Sequence, residues 1–211
     1  MITTLPFEHH ALEYDAWFVK HREVFESEVE AIKKLLPPGN LNGIEIGLGT
    51  GRFSNALGIK GGVEPAMALR KIAAERGIEA IDAIAEKLPY KDAQFDFVLM
   101  AGCISYFIDV NRALREAHRV LKKGGCLIIG FIDKNSIIGR SYESRRETSD
   151  FYRQASFYTP GDIISELTQA GFNELFFSQT LFKELEETVT TETSIPGYGA
   201  GSFVVVKAIK K

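Results

Sequence analysis

Between His21 and Leu36 the apolar residues Phe25, Val29, Ile32 and Leu36 recur at steps of four, three and four, which predicts an amphipathic helix. Pro37 and Pro38 end it, because proline has no N–H to donate. A short strand over 44–46 then breaks into Gly47-Leu48-Gly49-Thr50-Gly51, followed by a helix-compatible stretch over 52–57. Gly61 to Glu64 reads as a second strand closed by an acid. A helix through Ala66, Leu69, Ile72 and Ala73 runs to about Gly77, and a third strand spans 79–82. Phe95 to Met100 is apolar apart from Asp96, the pattern of a strand covered on both faces. Val110, Ala113, Leu114, Ala117, Val120 and Leu121 mark a helical stripe, stopped by Lys122-Lys123-Gly124-Gly125 ahead of a buried strand over 126–132. Thr159-Pro160-Gly161-Asp162 supplies an N-cap, a proline in the first helical position and an acid three after the cap. The helix it opens carries Ile163, Ile164, Leu167 and Ala170 and stops at Gly171, before two late strands near 174–177 and 202–209.

Strands alternating with helices imply an α/β fold with a mostly parallel sheet covered on both sides. There is no internal repeat, and 211 residues with 45% hydrophobic content suit a single domain over 1–211. Two stretches interrupt the alternation: 133–157, rich in Arg, Ser, Tyr and acids, and 183–201, rich in Glu, Thr and Gly. Segments of this kind are either substrate lids or solvated surface loops. The formal charge of -3 gives no footprint for nucleic acid. No run of apolar residues approaches the roughly 20 needed to span a bilayer, and no secretory leader is visible. Cys103 and Cys126 lack metal-ligand or disulfide spacing, so the expected compartment is a reducing cytoplasm.

Ligands on open α/β sheets sit at the carboxyl ends of the strands, so the chemistry should gather at the glycine loop. The run Glu45-Ile46-Gly47-Leu48-Gly49-Thr50-Gly51-Arg52 does not satisfy the GxGxxG spacing of a dinucleotide site: Arg52 or Ser54 falls in the last slot. A tight strand-to-helix turn would by itself account for the glycines. Glu64 ends the second strand about 20 residues after the loop begins, where a carboxylate can accept both hydroxyls of a ribose. Pro65 can pack on a purine, and 85–90 can close over its other side. Together these favour a nucleotide-like ligand.

The chain resembles the class I S-adenosylmethionine-dependent methyltransferases, of the group containing the quinone-biosynthesis and other small-molecule enzymes. Glu45 to Arg52 is similar to the family's acidic glycine motif, Val63-Glu64-Pro65 to its second acidic motif, and Ala85-Glu86-Lys87-Leu88-Pro89-Tyr90 to its AExLPF stretch. Phe95-Asp96-Phe97-Val98 resembles the fourth-strand signature, and 113–125 resembles LREixRVLKPGG. The expected fold is then a Rossmann-like three-layer sandwich with a mostly parallel seven-stranded sheet and an antiparallel last strand. Residues 1–40 would form an N-terminal helical cap, and 133–158 a substrate lid.

The resemblance implies that Gly47, Gly49 and Gly51 line the methionine portion of S-adenosyl-L-methionine, with Glu45 near its ammonium group. Glu64 would hold the ribose, Pro65 would pack on adenine, and Ala85 and Glu86 would lie at its edge. Ala101 and Gly102 would sit beside the sulfonium, with Tyr14 and Trp17 of a YDxWF-like segment capping the site. The family often has Gly-Asp just before the Ala85 position, where this chain has Ala83-Ile84. The expected activity is methyl transfer to a small-molecule acceptor whose nucleophile is open between O, N, C and S. The alternatives are a catalytically silent cofactor-binding regulator and a nicotinamide-dependent oxidoreductase. No metal cluster is suggested, since in-line displacement needs positioning above all. Candidate bases are His9, His10 and Tyr106. Arg140, Arg145, Arg146 and Arg153, with Tyr142 and Tyr152 between them, either receive the acceptor or pair with the neighbouring acids on a solvated surface.

Overall fold

The computed structural model describes residues 4–39 and 41–211. Three helices, α1 (Leu5–His9), α2 (Ala11–Lys20) and α3 (Arg22–Leu35), precede β1 (Gly43–Ile46). The chain then runs through α4 (Arg52–Leu57), β2 (Gly61–Val63), α5 (Met67–Glu75), β3 (Glu79–Ile81), β4 (Phe95–Ala101) and α6 (Val110–Val120). It continues with β5 (Leu121–Ile132), α7 (Ile137–Ser144), α8 (Pro160–Gln169), β6 (Asn173–Thr180), β7 (Ile195–Pro196) and β8 (Phe203–Ile209). The sheet order is β3-β2-β1-β4-β5-β8-β6-β7. The first five strands in that order pair in parallel, and β8 runs antiparallel to both β5 and β6.

The apolar run of β4 is buried on both sides, as its pattern required. Val98 and Met100 face one cluster with Leu114 of α6 and Leu167 of α8, while Leu99 and Ile128 face the other with Val29 and Ile32 of α3. Full burial of each such side chain favours folding by roughly 1.5–3 kcal/mol relative to exposure. This double burial fixes the level of the sheet whose carboxyl ends carry the site. The Thr159 hydroxyl and the Asp162 carboxylate form the capping box that opens α8.

Two elements depart from the expectation. The sheet has eight strands, not seven, because β7 arises within 183–201 and pairs with β6 through Ser178 and Gln179. Its two residues are too few to show a period, and Pro196, lacking an N–H, suits an edge. Helix α7 forms inside 133–157, a stretch with no clear helical pattern. Ser136 accepts a hydrogen bond from the Gly139 N–H to cap it, and Ile138 and Tyr142 bury its inner face. Packing supplies what propensity does not.

Candidate functional site

At the carboxyl ends of β1, β2 and β4 the structure forms a cavity lined by Gly47, Gly49, Glu64, Pro65, Ala83, Ile84, Ala85, Glu86, Ala101 and Gly102, among others. Register brings them there, since Glu45 of β1 lies beside Gly62 of β2 and Leu99 of β4. Glu64 is 6% exposed, and its carboxylate accepts N–H groups from Gly49 at 3.0 Å and Ala66 at 2.8 Å. Burial pushes its pKa up against those two bonds. Each carboxylate oxygen has a second lone pair, so the group can still accept from a ligand.

Glu45 is 1% exposed and lies just behind the loop. Its Oε2 accepts the Ser54 hydroxyl, while Oε1 has no partner among the described residues. Burial raises its pKa to about 8, although the bonds from Ser54 oppose the shift. An unpaired buried acceptor of this kind is costly.

The N-terminal helices close the cavity. The Glu8 carboxylate accepts the Met67 and Ala68 N–H groups at the start of α5, a helix whose own N-cap, Ala66, offers no side-chain acceptor. This docking carries Phe7 onto the cavity, where its ring meets Tyr14 and Tyr106 edge-on. Asp15 fixes α2 to the glycine loop, accepting two bonds from Arg52 and one from Arg76, while Arg76 also donates to the Thr50 carbonyl. Partial burial would raise the pKa of Asp15, but bonds from Arg52, Thr50 and Arg76 outweigh it and hold the group at about 2. Tyr14 is thereby set over Gly49: a Cβ there would lie 3.2 Å from its hydroxyl, and the φ of +57° is one that side chains rarely adopt.

A second, larger cavity of about 470 Å³ opens beside the first and shares Phe7, Tyr14, Ala101, Gly102 and Tyr106 with it. Its walls come from α2, α3, α7, the segment after α7 and the loop after β6. They include Trp17, Glu28, Tyr142, Arg145, Tyr152 and Phe157. Tyr142 stacks on Tyr152 with ring centroids 4.5 Å apart, and the Arg145 guanidinium lies 5.4 Å from the Tyr142 centroid. Among the described residues, no group of His, Cys, Asp and Glu side chains could hold a metal ion, and no helix is long and apolar enough to cross a membrane.

The structure therefore gathers most of the residues singled out from sequence at the first cavity, but Glu45, behind the loop, lines neither cavity, and others are placed as follows. Gly51 caps the start of α4 and packs toward Ile78, outside the cavity lining. Trp17 faces the second cavity, because one helical turn past Tyr14 its ring falls against Phe18 and His21. Glu86 lines the cavity, and its Oε1 also accepts the N–H groups of Ile108 and Asp109, which anchors the loop after β4. His9 and His10 line neither cavity. His9 is exposed, and His10 turns outward between Glu13 at 3.2 Å and Asp150 at 3.7 Å. Tyr106 does reach both cavities, but burial, reinforced by Tyr152, raises its phenol pKa and disfavours loss of its proton. Of the arginines, Arg146 and Arg153 pair with Glu143 and Asp150, and Arg145 alone of those four joins the cavity wall. Glu28 is a further residue of the second cavity, and a signal for it exists in the sequence: three after Phe25 and four before Ile32, it is an acid on the apolar face of α3.

A family profile described as a methyltransferase domain matches residues 44–129. An uncharacterized protein of Methanocaldococcus jannaschii is 41% identical over 204 residues, 97% of this chain and 98% of that protein. A crystal structure from Thermotoga maritima, described as a SAM-dependent methyltransferase and possible histamine N-methyltransferase, is 45% identical, with a TM-score of 0.94 over 97% of this chain and 98% of its own. A ubiquinone biosynthesis O-methyltransferase of Azorhizobium caulinodans is 26% identical over 181 residues, 77% of this chain and 72% of that protein.

Proposed function

Because the chain belongs to the S-adenosylmethionine-dependent methyltransferases, we propose that it methylates a small-molecule acceptor held in the second cavity. The observation that carries this reading is the meeting of the two cavities at Ala101, Gly102 and Tyr106, at the carboxyl end of β4. Family membership also removes the support for the nicotinamide alternative.

Two features fit the cofactor. Glu45 Oε1 is buried without a partner and can accept from an ammonium group, and Glu64 presents an already oriented carboxylate for ribose hydroxyls. When bound, the cofactor supplies a methyl group activated on a sulfonium. The chain's own contribution is then to align the acceptor and exclude water, and such positioning is worth on the order of 7–11 kcal/mol in favourable model systems. Gly47 and Gly49 let the backbone approach the methionine portion, and Pro65, Ala85 and Glu86 bound the adenine. Ile84, on the cavity wall, offers that base an apolar contact. Within the N-terminal cap, of which residues 1–3 and 40 lie outside the described residues, Phe7 and Tyr14 shut out solvent, and 133–158 forms the outer wall over the acceptor. The same reading puts the protein in a reducing cytoplasm, where the free thiols of Cys103 and Cys126 persist.

The deciding experiment incubates the protein with methyl-labelled cofactor and a cell extract separated by mass. Label is expected in the low-mass fraction. Label confined to protein or nucleic acid would sink the small-molecule acceptor, and no label despite binding of S-adenosylhomocysteine would favour the silent regulator.

Glu45 adds a second expectation. With a pKa of about 8 it is mostly protonated at pH 6–7, and an adjacent ammonium favours the ionised form. Binding of S-adenosylhomocysteine is therefore expected to release about one proton there, with affinity rising as pH climbs toward 8. Calorimetry in buffers of different ionisation enthalpy measures the proton count. The linkage should fall sharply in Glu45→Gln, and an unchanged count would remove Glu45 from the ammonium site.

A further inference from the structure

The second cavity contains an ionisable group that the proposed transfer does not use. Glu28, on the inner face of α3, is 7% exposed and lines this cavity. Among the described residues no hydrogen bond or ion pair reaches its carboxylate. Burial alone raises its pKa, to about 8. A carboxyl in that position is destabilising, because a buried ionisable group without a partner loses hydration and gains nothing in return. A leucine or glutamine would be the better core residue.

The surroundings indicate what would compensate it. Trp17, Tyr142, Tyr152 and Phe157 contribute aromatic walls to the same cavity, and aromatic faces attract cations. The Tyr142 ring stacks on Tyr152 and also carries the Arg145 guanidinium, so an aromatic ring of this cavity already holds a cation within the protein itself. The remaining charged groups of the cavity, Glu13, Lys20, Arg145 and Glu186, are exposed, and His21 is half-buried with a pKa lowered by burial and by Lys20. Glu28 is thus a buried carboxyl in the wall of an aromatic cavity whose Lys20 and Arg145 are exposed.

From this we infer that Glu28 selects the acceptor: the second cavity takes a molecule that carries an amine, whose protonated nitrogen, having no lone pair to receive the methyl group, is the handle that pairs with the Glu28 carboxylate between the aromatic walls. This rests on the second cavity being the acceptor site. When the amine binds, Glu28 gives up its proton to solvent and becomes the carboxylate partner of the ammonium. Neutral or anionic analogues of the same shape lack the charge that makes this ionisation favourable. A carboxylate in that place meets Glu28 with a like charge.

The test uses the full chain saturated with S-adenosylhomocysteine and a probe panel of benzylamine, phenethylamine, tryptamine and histamine, each with its matched alcohol and carboxylate. Calorimetry is expected to rank amine above alcohol above carboxylate. Amine binding at pH 7 should release a proton. In Glu28→Gln the amine affinity should fall at least tenfold, the alcohol affinity should hold within about twofold, and the released proton should disappear. Glu28→Leu provides a second variant, and its melting temperature should rise because the buried carboxyl is gone. The inference is overturned if no amine of the panel binds, if a carboxylate binds best, or if the amine preference survives in Glu28→Gln. Failure of the cofactor reading is seen separately, as absence of S-adenosylhomocysteine binding to the unmodified protein. Retained S-adenosylhomocysteine binding by both variants shows that they fold.

Discussion

Glu64→Ala is expected to weaken S-adenosylhomocysteine binding by about 10²–10⁴-fold, the value of two charge-assisted hydrogen bonds at 1.5–3 kcal/mol each. The carboxylate lies on the cavity wall and is held from behind by the Gly49 and Ala66 N–H groups, at 3.0 and 2.8 Å. Those bonds orient it before a ligand arrives, so little affinity is spent on ordering. Alanine removes the acceptors offered to the ribose and also strands two backbone donors, which costs about 1–3 kcal/mol each where they stay buried. Stability should therefore fall along with affinity. Glu64→Gln separates the two effects: it keeps the volume and one acceptor oxygen but turns an amide NH₂ toward one of those donors. Its affinity loss should be nearly as large, with a smaller drop in melting temperature. Calorimetry supplies the affinity and circular dichroism the fold. If Glu64→Ala folds and binds within about fivefold of the unmodified protein, the carboxylate serves the loop alone.

How far the sequence foretold this site depended on whether its residues are neighbours in the chain. The loop after β1, the acid after β2 and the helix entry at Thr159 could be read because turns, strand ends and caps are written in a few consecutive residues. The buried run of β4 was legible for the same reason. The second cavity was legible only in part: Tyr142, Arg145 and Tyr152 lie in one stretch that could be read as receiving an acceptor, but Glu28 and Leu185 come from distant places and meet them only after the sheet has formed. The place of Glu86 could be read from its own stretch, but not that its Oε1 also accepts the Ile108 and Asp109 N–H groups, a demand set by a loop over 20 residues later. His9 and His10 suited proton transfer in chemistry but not in place. Docking of α1 on α5 through Glu8 turns that corner of the chain away from both cavities.

Gly62 carries the second large effect. A strand with two consecutive glycines is poor by propensity, and the reading of 61–64 as a strand gave no reason for them. The parallel pairing of β1 and β2 supplies one. A Cβ on Gly62 would lie 1.8 Å from the Glu45 carbonyl oxygen and within 3 Å of the Glu45 carbonyl carbon and amide nitrogen. All three are backbone atoms, so no side chain can rotate away and the strands themselves must separate. Gly62→Ala is expected to cost about 3 kcal/mol or more, at or beyond the upper end of ordinary overpacking, and to yield little folded protein. Any fraction that folds should bind S-adenosylhomocysteine poorly, because the displaced strands carry Glu45 and lead into Glu64. Gly161→Ala is the control. Gly161 sits in the first turn of α8, where a Cβ meets only the Thr159 hydroxyl, at an ordinary 3.6 Å. With no clash, the lower backbone entropy of alanine in the unfolded chain should make this variant about 0.4–1 kcal/mol more stable. Urea unfolding of both variants gives the comparison. Equal stability for the two would mean that β1 and β2 can yield at this point, and that the glycine there answers to something other than the close approach of the strands.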